Sequence, residues 1–143
     1  MGISDLDPVI EQYHQALDEY INGNPEPVIK MFSQRDDVSL AQPHVPTALG
    51  RKQVVETGER NASYLRDGER IGFESLVKVV TPDLSFIVEV ERFKAKVGGR
   101  QDFTQSALRV TTIFRPEEGS WKIVHRHADP IVTNQPVESI IQK

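Results

Sequence analysis

The sequence predicts an α+β fold: one domain over residues 1–143, built as a curved antiparallel sheet wrapped on three amino-terminal helices into a small cone. Three observations carry this. Apolar residues recur at helical spacing only in the first half of the chain. Four long runs with strand character fill residues 71–128 and are separated by short Gly- and Pro-containing turns. In the last of these runs, Trp121, Ile123, His125 and His127 alternate with Lys122, Val124, Arg126 and Ala128, a period of two that belongs to a strand with two distinct faces.

The elements follow in order. Asp7-Pro8 reads as a helix cap followed by a first-turn proline, and Val9, Tyr13, Leu17 and Tyr20 continue at helical spacing until Gly23. Asn24-Pro25 opens a short second helix with Val28, Ile29 and Phe32 on its apolar side. Residues 38–41 read as a short first strand. Pro43 and Pro46 bracket a loop that cannot be helical. A third helix is expected from about Arg51 to Arg66, ending at Asp67-Gly68, with Gly58 inside it costing about 1 kcal/mol relative to alanine. Strands are expected over 71–80, 84–97, 102–115 and 120–128, joined as hairpins through Pro82-Asp83, Gly98-Gly99 and residues 116–119. Helices first and a meander afterwards is the α+β order.

Bulk properties narrow the function classes. With 143 residues and 38% hydrophobic content the chain can bury a core of its own. A net charge of −4 argues against non-specific binding to nucleic acid or an anionic membrane. There is no cysteine, so disulfides and thiolate metal sites are excluded. Residues 1–5 are acidic and lack the apolar core of a signal peptide, and no apolar run reaches membrane-spanning length, so a cytoplasmic location is expected. No phosphate-binding glycine loop or nucleophile elbow is present.

Turn length sorts the strand residues into faces. A two-residue turn at Gly98-Gly99 and a four-residue turn at 116–119 put Glu89, Glu91, Leu108, Val110, Phe114, Trp121, Ile123, His125 and His127 on one face. Val88, Val90, Arg92, Arg109, Thr111, Val124 and Arg126 fall on the other. A one-residue bulge would invert part of this scheme. Both faces are partly apolar, so one is expected to meet the helices and the other a second copy of the chain, as a homodimer through the outer sheet face.

Helix, Gly23, a short helix with Met31-Phe32, a strand ending in Gln42-Pro43, Gly50 before a third helix, and a meander closing in residues 121–127 together resemble the SnoaL-like, ketosteroid-isomerase-like superfamily, which includes nuclear transport factor two. The closing strand also resembles the association domain of calcium/calmodulin-dependent kinase II. The resemblance covers nearly the whole chain and implies the cone fold. It implies functions ranging from isomerases, cyclases, dehydratases and hydrolases to small-molecule binders and assembly domains. In the isomerases a carboxylate base precedes a proline at the end of the first strand, where this chain has Gln42, an amide that cannot take a proton at neutral pH. The isomerases' first-helix tyrosine falls near Ala16, with Tyr13 and Tyr20 a turn away on either side. Their short-helix tyrosine corresponds to Phe32, and their protonated acid falls near Thr111. In the kinase association domain an arginine of the penultimate strand lines the cavity. Arg109 matches it, which implies that the Arg109 face is the inner one.

The expected site follows from that orientation. Arg109 and Arg126 side by side would clamp an anionic small molecule, since guanidinium keeps its charge and offers a rigid donor fork. Gln42, Tyr13 and Thr111 would complete the pocket, and His44 is the candidate general base. His125 and His127, with Glu89 nearby, are acceptable metal-ligand types but too few, and read better as an interface cluster. No metal and no organic cofactor is expected. The expected function is small-molecule binding in an internal pocket, with cofactor-independent acid–base catalysis as its enzymatic form; the alternative is a non-catalytic association domain.

Overall fold

The computed structural model describes residues 5–143. The amino-terminal segment read for signal-peptide character lies outside the described residues except for Asp5. The element order is α1 (Leu6–Tyr20), α2 (Glu26–Met31), β1 (Ser39–Ala41), β2 (Ala48–Leu49), α3 (Gly50–Ala62), β3 (Leu65–Val80), β4 (Ser85–Val97), β5 (Thr104–Glu117) and β6 (Ser120–Asp129), with a short 3-10 turn at Val137–Ile140. The six strands form one sheet in the order β2-β1-β6-β5-β4-β3. All neighbours run antiparallel except β1 and β6, which are parallel. The α+β cone with three helices before the meander is therefore what the chain adopts.

Helix α1 fills the cone because its apolar residues repeat every three or four positions. Leu6, Tyr13, Ala16 and Leu17 are buried along one side, and Ile21 follows just beyond the last turn. The cap is Asp5, whose carboxylate accepts the Asp7 N–H at 3.2 Å, not Asp7 as expected. Asp7 instead holds Lys78 of β3 at 2.5 Å. Gly23, at φ +90, follows the helix as anticipated, a conformation that favours glycine. The core gathers α1, α2, β1 and the sheet's inner face: Tyr13, Leu17, Phe32, Leu40, Ile87, Phe114 and Ile123 are among its members.

Three expectations are corrected. Helix α3 stops at Ala62, and β3 begins at Leu65, so Asp67-Gly68 lies inside the strand as a bulge between Arg66 and Glu69. Asp67 takes φ 54 there, and Gly68 passes so close to Ile21 that an added Cβ would sit 2.2 Å from its carbonyl oxygen. The last hairpin turns through two residues, Glu118 and Gly119, both at positive φ, with Glu117 opposite Ser120. Finally, β6 carries an extra residue. Phe114 pairs with Ile123 but Ile113 pairs with His125, so Val124 is a bulge and every later side chain changes face.

The inner face is consequently Ile87, Glu89, Glu91 and Ala95 of β4, Val110, Thr112 and Phe114 of β5, and Ile123, Arg126 and Ala128 of β6, all buried. Arg109, Thr111, His125 and His127 face outward. The expectation that the Arg109 face is the inner one is thus reversed. The physical reason is that Ile87, Val110, Phe114 and Ile123 form the more continuous apolar surface, and α1 must bury its own apolar side against it.

Two glycines make the packing testable. Gly58→Ala should stabilise the protein by about 0.5–1 kcal/mol, because helix propensity improves and the new Cβ meets Ile29 at an ordinary 3.6 Å. Gly68→Ala should destabilise by about 1–3 kcal/mol through overpacking against a backbone carbonyl. Urea unfolding of the two variants checks both; equal midpoints would contradict this account of β3 against α1.

Candidate functional site

The polar interior of the cone converges on Arg126. Its Nη1 donates to Glu91 Oε2 at 2.8 Å and its Nη2 to Glu91 Oε1 at 2.9 Å, a two-pronged pair with both side chains buried. Nη1 also donates to the Tyr13 hydroxyl at 2.5 Å. The same hydroxyl shares a hydrogen bond with Thr112 Oγ1, 2.9 Å away. Four elements therefore meet here: α1 supplies Tyr13, β4 Glu91, β5 Thr112 and β6 Arg126. Burial alone would weaken the Arg126 charge, but the Glu91 carboxylate beside it more than offsets that and keeps the guanidinium firmly protonated.

Beside this network lies a pocket of about 180 Å³. Leu17, Ile21, Leu65, Phe73, Phe93 and Leu108 supply its apolar wall; Tyr20, Gln42, Asn61, Glu91 and Arg126 supply the polar groups. Gln42 Nε2 donates to the Tyr20 hydroxyl at 3.4 Å. Burial, the largest influence, pushes the Tyr13 and Tyr20 hydroxyls up to about 12, so both are neutral donors at physiological pH rather than bases. The side-chain nitrogen of Asn61 is fully buried, and the Asn61 side chain is a hydrogen-bonding neighbour of the Tyr20 hydroxyl that opposes its rise, a smaller influence than burial.

Of the residues picked out from the sequence, Tyr13, Gln42 and Arg126 come together in or beside this pocket. Arg109 and Thr111 do not. Arg109 sits on the outer face and holds Asp129 at 2.9 Å, and Thr111 stands opposite His127 there. The paired-arginine clamp is therefore not assembled, because β5 presents Val110 and Thr112 inward while the Val124 bulge turns Arg126 away from Arg109. His44 lies exposed in its loop, 6.3 Å from the Tyr64 ring between centroids, and does not line the pocket although its neighbour Pro43 does.

Glu89 is inside and not with the outer histidines. It holds His14 Nε2 at 2.9 Å with each carboxylate oxygen, in a shallow cleft between α1 and β3 where His14 stacks on Phe73 at 3.6 Å. His125 accepts from or donates to Ser39 Oγ at 2.7 Å on the outer face. Among the described residues, no group of three or more His, Cys, Asp or Glu side chains is placed to hold a metal ion, and no helix is long and apolar enough to cross a membrane.

Three pocket side chains escaped the reading from sequence: Glu91, Tyr20 as a pocket hydroxyl, and Asn61. Glu91 was visible as a carboxylate at period two among Ile87, Phe93 and Ala95. Its alternation placed it on the core face once that face was identified. Asn61 had no signal beyond being the one polar member of the Val54, Gly58, Ala62 stripe.

Comparison with known proteins agrees with the architecture. The SnoaL-like domain family matches residues 7–133. No curated protein matches the chain. Among solved structures, a ketosteroid isomerase-like protein from Erwinia carotovora atroseptica superposes with a TM-score of 0.74 at 18% identity, covering 90% of this chain and 95% of that one. A nuclear transport factor 2 superfamily protein from Salmonella enterica serovar Typhimurium gives 0.72 at 16% identity, covering 90% of each chain. A protein from Thiobacillus denitrificans assigned as a calcium/calmodulin-dependent protein kinase type II association domain gives 0.74 at 14% identity, covering 92% of this chain and 98% of that one. At these identities the likeness is one of fold.

Two measurements probe the charges. Glu91→Ala should destabilise by about 3–5 kcal/mol because it strands a buried guanidinium, whereas the double change Glu91→Leu with Arg126→Met should fall within about 1–2 kcal/mol of the parent or above it. Additive single-variant losses in a double-mutant cycle would contradict the pairing. Burial first, and the neighbouring His127 second, hold His125 below the usual histidine value of 6.5. The unfolded chain then takes up a proton that the folded one resists, so stability is full above pH 6.5 and is lost as pH falls through the lowered value. Unfolding midpoints between pH 7.5 and 5.5 should fall for the parent and flatten in His125→Asn; an unchanged slope would refute this assignment.

Proposed function

The chain belongs to the SnoaL-like domain family, and on that premise we propose that it binds a small organic molecule in the pocket beside Arg126. The observation that carries this reading is the pocket itself: about 180 Å³, with an apolar wall and a cluster of convergent polar groups at one end. A side-chain-filled cone would have favoured a purely structural role.

Binding is better supported than acid–base catalysis. The one carboxylate deep in the pocket, Glu91, is occupied by two guanidinium hydrogen bonds. Asp18, at the rim, is held by Arg70 at 2.7 Å and 2.9 Å. The tyrosines stay protonated, and the sequence resemblance implies that Gln42 takes the place of the isomerases' base. Among the described residues no group lining the pocket is a free base, so proton abstraction finds no agent there. The reading is therefore a SnoaL-like binding protein.

Self-association is a second, compatible reading. On the sheet face away from the helices, Val77 stands opposite Val88 and Val79 opposite Phe86, with Ile113 of β5 beside Phe86. Val77 and Val79 are each 38% exposed. An apolar stripe of this kind on a two-sided sheet fits an isologous contact with a second copy.

Two experiments test these readings. A thermal-shift screen of small cyclic compounds should find ligands that raise the melting temperature by several degrees near 100 times their Kd, where stabilisation reaches about 2.7 kcal/mol. Leu108→Trp, which fills the pocket, should abolish those shifts; hits that survive it would refute the site. Sedimentation should give twice the 16.2 kDa of one chain, falling to one chain in Val88→Arg. A parent that sediments as a monomer would reject the dimer.

A further inference from the structure

We propose that His14 and Glu89 form a carboxylate–imidazole base in the cleft between α1 and β3, a second site apart from the pocket beside Arg126, where His14 activates water against small uncharged acyl esters. The inference does not depend on what that pocket binds.

Geometry fixes the base. Glu89 is buried, and both its carboxylate oxygens stand 2.9 Å from His14 Nε2. A carboxylate only accepts, and equal distances place one N–H between the two oxygens. Nε2 therefore carries the proton, and Nδ1 keeps its lone pair. His14 stacks on Phe73 with ring centroids 3.6 Å apart and planes 2° apart, which sets the tilt of the imidazole. Nδ1 has no hydrogen-bond partner among the described residues and keeps access to solvent. An imidazole oriented by a carboxylate on one nitrogen and open on the other is built as a general base.

The cleft fixes the substrate class. It offers about 470 Å³ and is open to solvent, so water is at hand as the nucleophile. Ile10, Phe73 and Ile87 supply an apolar wall for an acyl chain, and Gln15 and Lys78 line the cleft with N–H donors for a carbonyl oxygen that gains charge. Asp7 with Lys78, at 2.5 Å, and Asp18 with Arg70, at 2.7 Å, are ion pairs between α1 and β3. The Glu11 and Glu89 carboxylates remain, so the cleft leans negative. That disfavours an anionic substrate and helps to expel a carboxylate product.

The step balances within these groups. His14 Nδ1 takes one proton from a water whose oxygen bonds to the ester carbonyl carbon. The tetrahedral intermediate then breaks its C–O bond to the alcohol, which leaves with the proton held on Nδ1. Ester and water become acid and alcohol, and the imidazole returns to its neutral form. Glu89 touches neither reactant; it is a positioning residue.

4-Nitrophenyl acetate, mixed with the full chain at pH 8, where an ordinary histidine is neutral, tests the step through release of 4-nitrophenolate. The parent should hydrolyse it above background, and more slowly in D2O. His14→Gln should lose about 100-fold of the protein-dependent rate, and His127→Gln, on the outer face, none. Glu89→Gln should lower the rate and shift the His14 proton toward Nδ1, because an amide can donate to Nε2. Two-bond 1H–15N NMR of the parent should show Nε2 protonated and Nδ1 bare, a readout that needs no variant to fold. A proton on Nδ1 in the parent would overturn the inference. So would a rate no higher than background, a rate unmoved by His14→Gln or Glu89→Gln, or an acetyl group trapped on His14 with no effect of D2O.

Discussion

Arg126 holds the interior of this protein in one arrangement. Its guanidinium reaches Glu91 on β4 and Tyr13 on α1, and through that hydroxyl Thr112 on β5. Apolar packing between α1 and the sheet is tolerant of small slides, because hydrophobic burial has no direction. Hydrogen bonds with fixed donor geometry are not tolerant. A slide of α1 by one residue would take the Tyr13 hydroxyl away from Arg126 and Thr112 and leave buried polar groups unpaired, an expensive outcome in a medium of low polarity. The network sets the position of the helix over the sheet, and with it the position of Tyr20, which shapes the pocket about two turns along.

That network exists because of Val124. Without the bulge, strict alternation from Ile123 would send His125 and His127 into the cone and Arg126 out. One extra residue exchanges two titratable rings for one permanent charge in the interior. The same residue brings Ser39 opposite His125 and Leu40 opposite Arg126 in the parallel pairing with β1, so the first strand inherits its in–out order from the bulge. The outer histidines then share their face with Arg109 and Asp129, where solvent and opposite charge accommodate them.

Much of the architecture was legible because it depends on periodicities. The α1 spacing, the helix end near Gly23, the proline-bracketed loop and the four-strand meander all follow from side-chain patterns that local physics enforces. The candidate site was less legible. Tyr13, Gln42 and Arg126 could be picked out by chemistry, but the orientation of the sheet had to come from comparing two partly apolar faces, and the bulge leaves only a faint trace. Ile123 and Val124 are consecutive apolar residues, both buried, and that pair is where the alternation changes phase. Similarly, Asp67-Gly68 has the composition of a helix stop, yet here it is a kink inside a strand, because only a residue without a side chain can pass the Ile21 carbonyl at that point. Asn61 could not be recognised, since its place beside the Tyr20 hydroxyl is a property of the surrounding fold rather than of local sequence.

Strand β3 has a further consequence. It is sixteen residues long, lies at the edge of the sheet, and carries exposed Ile71, Leu76, Val77, Val79 and Val80. Such an edge would ordinarily template fibrillar stacking. Its pairing with β4 is interrupted between Arg66 and Glu69, between Arg70 and Gly72, and between Ser75 and Val77, so the longest regular stretches, 72–75 and 77–80, are four residues each. A steric zipper requires about six or seven straight residues. The irregularities that spoil the ladder thus leave this apolar margin without a straight run long enough for such a zipper.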